Sequence, residues 1–285
     1  MNEISIEAWV DAAPEEQRGF REAVHIILDS IGHSQNLQAR MIMKGGLLLA
    51  IRYDSTRFTR DLDFSTCEPY VEADAERLLA EFEAGLADAE DRLPYGTACR
   101  LQSRKIEPKG ENRTHHNLAL TIGFADKSHH GAMARLAAKN SPRVVQVDYS
   151  FNEAVFEVEL LELDGGVTIR SYSLHNVLAE KMRSLLQQPI RRRKRRQDVY
   201  DIWLLLESAP PFPAKELAEI RKMLVMSCRS KGIEPTADSM DDEPMVRMAR
   251  EGYADLQADV DGDLPAFDDA MTRVKAFYSS LPWGA

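Results

Sequence analysis

The sequence predicts an α/β chain (α+β in its segregation): a mixed sheet with flanking helices first, then an all-helical C-terminal domain. Three observations carry this. Segments alternating apolar and polar residues recur through the first 170 of 285 residues, helical periodicity dominates from Leu174 onward, and the character changes once, near residue 170. The expected domains are therefore 1–170 and 171–285.

The first helix is read in "EEQRGFREAVHIILDSIG", where Phe20, Val24, Ile27 and Ile31 share a face and Gly32 is expected to stop it. "RMIM" follows as a short strand, Lys44-Gly45-Gly46 as a turn, "LLLAIRY" as a short helix and "RDLDFS" as a strand. An Ala/Glu/Leu-rich helix lies between Val71 and Leu93. "TACRLQSRKI" and "NLALTIGF" alternate as strands, and "RVVQVDYSF" sets Val145, Val147 and Tyr149 opposite Gln146, Asp148 and Ser150. "FEVELLEL" and "VTIRSY", split by Asp164-Gly165-Gly166, form a predicted hairpin.

Composition narrows the function. Lys+Arg 36 against Asp+Glu 46 gives a net charge of −10, which argues against a passive nucleic-acid coat and confines any such contact to a local basic patch. With 44% hydrophobic and 29% charged residues the chain is not globally disordered. Cys67, Cys99 and Cys228 are isolated, as in a reducing cytoplasm. No apolar run approaches the roughly 20 residues that span a bilayer. The acidic start "MNEISIEAWVDAAPEEQ" lacks a signal peptide's basic opening. The expected location is cytoplasmic, without membrane contact.

Asp61-Leu62-Asp63-Phe64 is the most informative tetrapeptide. In a strand Asp61 and Asp63 project together while Leu62 and Phe64 face a core. Two carboxylates on one face repel unless a cation sits between them, and Mg²⁺ prefers such hard oxygen ligands. A solvated strand end is the bland alternative. Upstream, Lys44-Gly45-Gly46 lies between a strand and a helix, where paired glycines admit a close ligand and helix N–H groups point at an anion. A phosphate turn and two metal-binding acids together suit a nucleoside triphosphate.

The segment "KGGLLLAIRYDSTRFTRDLDF" resembles the first signature of the AbiEii/AbiGii-type nucleotidyltransferase toxins, a branch of the DNA polymerase β-like nucleotidyltransferase fold. The matching residues are Lys44, Gly45, Gly46, Leu49, Tyr53, Arg57, Thr59, Asp61 and Asp63. The broader superfamily usually has Gly-Ser where this chain has Gly45-Gly46. The resemblance implies an N-terminal nucleotidyltransferase fold, with Lys44, Gly45, Gly46, Arg57 and Thr59 at the nucleotide.

A two-metal site needs a further acid. Asp148 is the candidate: spacing leaves it open between a metal ligand and a solvent-facing residue, and the resemblance favours the metal role. In "LAEKMRSLL", Lys181 shares a stripe with Leu174, Leu178 and Leu185. It either snorkels to water or reaches a triphosphate, and likeness to the family's A-E-K-L segment favours the latter. In "RRQDVYDIWLL", Asp198 could cap a helix. The family has R-D-x-x-D here, with Gln197 standing where its arginine is common, so Asp198 is taken as an active-site residue and Asp201 as its support. The run Arg191, Arg192, Arg193, Lys194, Arg195 and Arg196 is either a solvated loop or an RNA phosphate contact.

The resemblance thus implies a Mg²⁺-dependent nucleotidyltransferase with Asp61, Asp63 and Asp148 holding two ions. It would transfer NMP from an NTP to an acceptor hydroxyl, by resemblance a tRNA 3′ end, and would pair with a cognate antitoxin. Two alternatives stand beside it: a protein or small-molecule acceptor, and an inactive interaction module, against which the intact Asp61/Asp63 pair speaks. His115-His116 and His129-His130 read as loop residues, and "DVDGDLPAFDD" fails the EF-hand spacing.

Overall fold

The computed structural model describes residues 4–108 and 116–284. The chain divides into two compact units, Met1–Ile51 with Arg60–Ser171, and Arg52–Thr59 with Tyr172–Ala285. The short segment Arg52–Thr59, inside the expected N-terminal domain, thus groups with the second unit.

The first unit opens with α1 (Ile6–Asp11), α2 (Glu15–His33) and α3 (Gln35–Arg40), followed by β1 (Ile42–Lys44), α4 (Gly45–Arg52) and β2 (Asp61–Ser65). Then come α5 (Glu72–Arg92), β3 (Thr97–Glu107), β4 (Asn117–Asp126), α6 (His130–Ala137), β5 (Val144–Ser150), β6 (Val158–Leu163) and β7 (Val167–Tyr172). The seven strands form one mixed sheet in the order β3-β4-β5-β2-β1-β7-β6. The pair β2 and β5 is parallel, as are β1 and β7, while β1–β2, β3–β4 and β4–β5 are antiparallel.

Period-two patterning sorts the sheet faces. Leu62 and Phe64, Leu118, Leu120 and Ile122, and Val145, Val147 and Tyr149 are buried. Their alternates Asp63, Asn117, Ala119, Thr121, Gln146, Asp148 and Ser150 are half-buried, and Asp61 is exposed. Helix α2 lays its apolar stripe against β3, β4, β5 and α5.

Two expectations are corrected. Gly32 does not stop α2, which runs to His33; a Cβ at Gly32 would lie 2.2 Å from Val167 Cγ1, so glycine admits β7. The break comes at Ser34, whose hydroxyl accepts the Leu37 N–H at 3.0 Å and caps α3. His130 is not a loop residue but opens α6, whereas His129 lies in the connection just before it, at the N-cap position; Leu136 of α6 packs on Ala98 and Ala125. His116 does lie in the connection before β4, though buried with its ring on Tyr70 at 4.8 Å, and His115 lies outside the described residues.

The second unit contains α7 (Leu174–Arg191), α8 (Arg196–Ser208), α9 (Ala214–Arg229), α10 (Glu243–Arg250) and α11 (Phe267–Ser280). Ser173 caps α7 by accepting the Asn176 N–H at 3.1 Å. Helix α7 packs on α8, α9 and α10, and α11 packs on α8. Segment Arg52–Thr59 is laced to this unit through its backbone: Phe58 N–H donates to the Asp259 carbonyl at 2.6 Å, and Asp261 N–H to that of Thr56 at 3.2 Å. Among the described residues no helix is long and apolar enough to cross a membrane.

Candidate active site

The predicted residues fall into two groups, one in each unit. In the first, sheet register does the gathering. Lys44, the last residue of β1, stands directly opposite Asp63 on β2, and Asp63 stands directly beside Asp148 on β5. Directly paired residues project from the same face, so Lys44, Asp63 and Asp148 form a row across three strands. Asp61 joins that face two residues before Asp63, beside Gln146.

The turn after Lys44 closes on this row. Gly45 has φ +77°, a left-handed conformation that glycine adopts without cost. A Cβ there would lie 2.0 Å from Asp63 Oδ2, so backbone and carboxylate share the space a side chain would fill. Gly45 and Gly46 open α4, whose first N–H groups lack partners within the helix. A positive helix end, a lysine and three acids thus share one neighbourhood of the first unit.

Asp148 has a further partner. Asn117 Nδ2 donates to Asp148 Oδ1 at 2.6 Å, and Ser150 Oγ donates to Asn117 Oδ1 at 3.2 Å. The donor set suits a hard divalent cation, since all three acids offer oxygen from one sheet face. Among the described residues no three His, Cys, Asp or Glu side chains are drawn together tightly enough to hold a metal alone. Mg²⁺ commonly completes its shell with water and substrate phosphates, so a partial protein set remains chemically compatible.

The second group is a buried ion cluster inside the second unit. Arg57 Nε and Nη2 donate to the two oxygens of Asp201 at 2.9 and 3.0 Å. Lys181 Nζ donates to Asp201 Oδ2 at 2.6 Å and to Asp198 Oδ1 at 3.1 Å. Two cations and two anions balance to zero. The ammonium on the apolar stripe of α7 therefore does not snorkel outward; Asp198 and Asp201, one turn apart on α8, receive it.

Burial and charge oppose each other in this cluster. Desolvation alone would raise the Asp201 pKa, but Lys181 and Arg57 overcome it and hold the carboxyl below its ordinary value. Desolvation would likewise lower Lys181 and Arg57, yet Asp201 and Asp198 raise both. Asp198 sits in the first turn of α8 without capping it through its side chain. Its Oδ2 is buried with no hydrogen-bond partner among the described residues. Thr59 is half-buried at the end of its segment.

The basic run divides. Arg191 ends α7, Arg192 adopts φ 52°, and both are exposed together with Arg193. Lys194 pairs with Glu251 at 2.7 Å, Arg196 pairs with Asp255 at 2.9 Å, and the Arg195 N–H donates to Gln188 Oε1 at 2.6 Å. The second half of the run ties the α7–α8 connection to its own unit.

Asp201, read from the sequence as support, is the acceptor common to both cations. Asn117 carried no sequence signal, since an asparagine at a strand start is unremarkable.

Comparison with known proteins adds an independent line. The sequence pattern of one family, described as nucleotidyl transferase AbiEii toxin of a type IV toxin–antitoxin system, matches residues 27–273. No protein of curated function matches the chain. Among solved structures, JHP933 from Helicobacter pylori is 12% identical over 95% of this chain and 93% of that one, with a TM-score of 0.52. An H. pylori protein described provisionally as a nucleotidyltransferase is 14% identical over 94% and 96%, with a TM-score of 0.51. At such identities the likeness is one of fold.

Proposed function

The chain belongs to the AbiEii family of nucleotidyltransferase toxins of type IV toxin–antitoxin systems, and we propose that it moves a nucleoside monophosphate from an NTP to the 3′ end of a tRNA. Its being a nucleotidyltransferase with an NTP substrate and an antitoxin partner follows from the family. The tRNA acceptor and the metal are the finer reading. The observation that carries the metal is the row Lys44, Asp63 and Asp148 beside the Gly45 turn, and the exposed Arg191, Arg192 and Arg193 support an RNA acceptor.

In this reading Asp61, Asp63 and Asp148 hold divalent cations, preferably two Mg²⁺, which would supply charge neutralisation at the α-phosphate and activate the acceptor hydroxyl. The Gly45-Gly46 turn and the N-terminus of α4 receive phosphate oxygens through backbone N–H groups. Lys44 lowers the negative charge of the row. The acceptor oxygen bonds to the α-phosphorus as the bond to the bridging oxygen breaks, pyrophosphate leaves, and the hydroxyl proton passes to solvent. Positioning and charge neutralisation supply most of the acceleration.

Lys181 keeps a proposed ligand-binding role with a changed character. An ammonium has three N–H donors; Asp198 and Asp201 take two, which leaves one for a ligand. Because the cluster is neutral, Lys181 contributes a directed hydrogen bond more than a free charge. Arg57, fixed on Asp201, holds the Arg52–Thr59 segment within the second unit. The buried, unpartnered Asp198 Oδ2 supports a ligand-facing role, since such an oxygen is costly until a donor reaches it.

In this reading the exposed Arg191, Arg192 and Arg193 contact phosphates of the tRNA, while Lys194, Arg195 and Arg196 hold that loop. The test is to incubate the purified protein with α-labelled NTPs, total tRNA and protein lysate, and to locate the label. Label at RNA 3′ ends is expected; label confined to protein would reject the RNA acceptor.

A further inference from the structure

We infer that Asn117 is a positioning residue that fixes the carboxylate of Asp148 for cation binding, with Ser150 fixing the amide. The inference rests on the proposed role of Asp148 as a metal ligand. Asn117 opens β4 opposite Ser150, while Ala119 stands opposite Asp148. The methyl group of Ala119 leaves the space over Asp148 to the longer side chain one pair along. Asn117 reaches into it and donates from Nδ2 to Oδ1 at 2.6 Å.

An amide can present either end, and its partners decide which. The Ser150 hydroxyl donates to Asn117 Oδ1 at 3.2 Å, and this selects the rotamer that points Nδ2 at the carboxylate. The reversed amide would set oxygen against oxygen. An asparagine suits the task because it occupies one carboxylate oxygen without adding positive charge. A lysine or arginine there would compete with a divalent cation for the same acid. Groups that orient metal-ligating side chains in this way commonly matter about 10- to 100-fold in metal affinity.

The experiment compares wild type with Asn117→Ala, Ser150→Ala, Asp148→Asn and Thr121→Ala, reading Mn²⁺ binding from the electron paramagnetic resonance of free Mn²⁺. Mg²⁺ dependence of nucleotide labelling is measured alongside. Asn117→Ala is expected to weaken Mn²⁺ binding at least about tenfold and to raise the Mg²⁺ concentration for half-maximal labelling. Ser150→Ala should shift both in the same direction by less. Thr121→Ala, on the same face but bonded to Gln146, should change neither. If Asp148→Asn weakens Mn²⁺ binding and Asn117→Ala does not, the positioning role is overturned while Asp148 stays a ligand. If Asp148→Asn leaves Mn²⁺ binding unchanged, the reading beneath it fails, and this inference with it. Should Asn117→Ala not fold, unchanged Mn²⁺ affinity in Ser150→Ala overturns the inference.

Discussion

Arg57 and Asp201, 144 residues apart in sequence, meet in a two-pronged ion pair inside the second unit, and Lys181 donates to the same carboxylate. The Asp201 side chain is fully buried and that of Arg57 is 12% exposed. Removing one partner of such a pair strands the others in a poorly solvating interior.

Asp201→Ala should therefore destabilise the protein by about 3–5 kcal/mol, the range for breaking a buried ion pair. Urea denaturation followed by far-UV circular dichroism measures it. A loss below about 1 kcal/mol would match an exposed pair instead.

The same cluster sets a pH dependence. The folded carboxyl of Asp201 is held below its ordinary value of about 3.9. Its contribution is complete above that ordinary value and is lost as pH falls through the lower, folded one. Lys181 is raised, so its contribution is complete below the ordinary lysine value and lost as pH climbs through the higher one. Urea midpoints should drop between pH 7 and pH 3 by more in wild type than in Asp201→Asn. Parallel curves would assign the acid sensitivity elsewhere.

Gly45→Ala places a methyl group on the Asp63 carboxylate and strains a positive φ. A shift of about 1 Å at a reacting centre can cost about 100-fold in rate, so nucleotide labelling should fall by that order. The strain itself should cost about 1–3 kcal/mol in stability, read by thermal melting.

Asp63→Ala should reduce nucleotide labelling by at least about 10³-fold, the scale of losing a principal electrostatic element, and should relieve growth inhibition on expression. Circular dichroism should stay unchanged, because Asp63 is half-buried on the polar sheet face. Full labelling by the variant would end the catalytic reading.

Replacing Arg191, Arg192 and Arg193 by Gln should weaken tRNA binding and flatten its salt dependence, by about 0.7 in log–log slope for each single-strand phosphate no longer neutralised. Arg196→Ala should act mainly on thermal stability through Asp255 and the Gly252 carbonyl. An unchanged salt slope in the triple variant would move the RNA surface away from this loop.

The strands were legible because alternation is a local signal: Val145, Val147 and Tyr149 are buried, as their spacing predicts. So was the row of acids, up to the point that register decides, since no single segment says that Asp63 and Asp148 are neighbours. Helix α6 escaped because its eight residues span barely two turns and bury only Leu136. Gly32 misled because glycine serves both helix ends and tight packing, and only the neighbouring Val167 distinguishes them. The sharing of Asp201 by Arg57 and Lys181 joins three distant segments, so local pattern cannot carry it. Asn117 was invisible because its meaning lies wholly in its partners.

The assignment of Arg52–Thr59 to the second unit bears on how such a protein can change over generations. A gene fragment beginning at the helical half would inherit Lys181, Asp198 and Asp201 without Arg57, leaving one cation to answer two buried acids. The halves are consequently poor cassettes for recombination: neither can be exchanged for a foreign counterpart by one crossover, and lineages carrying this clasp should inherit both together.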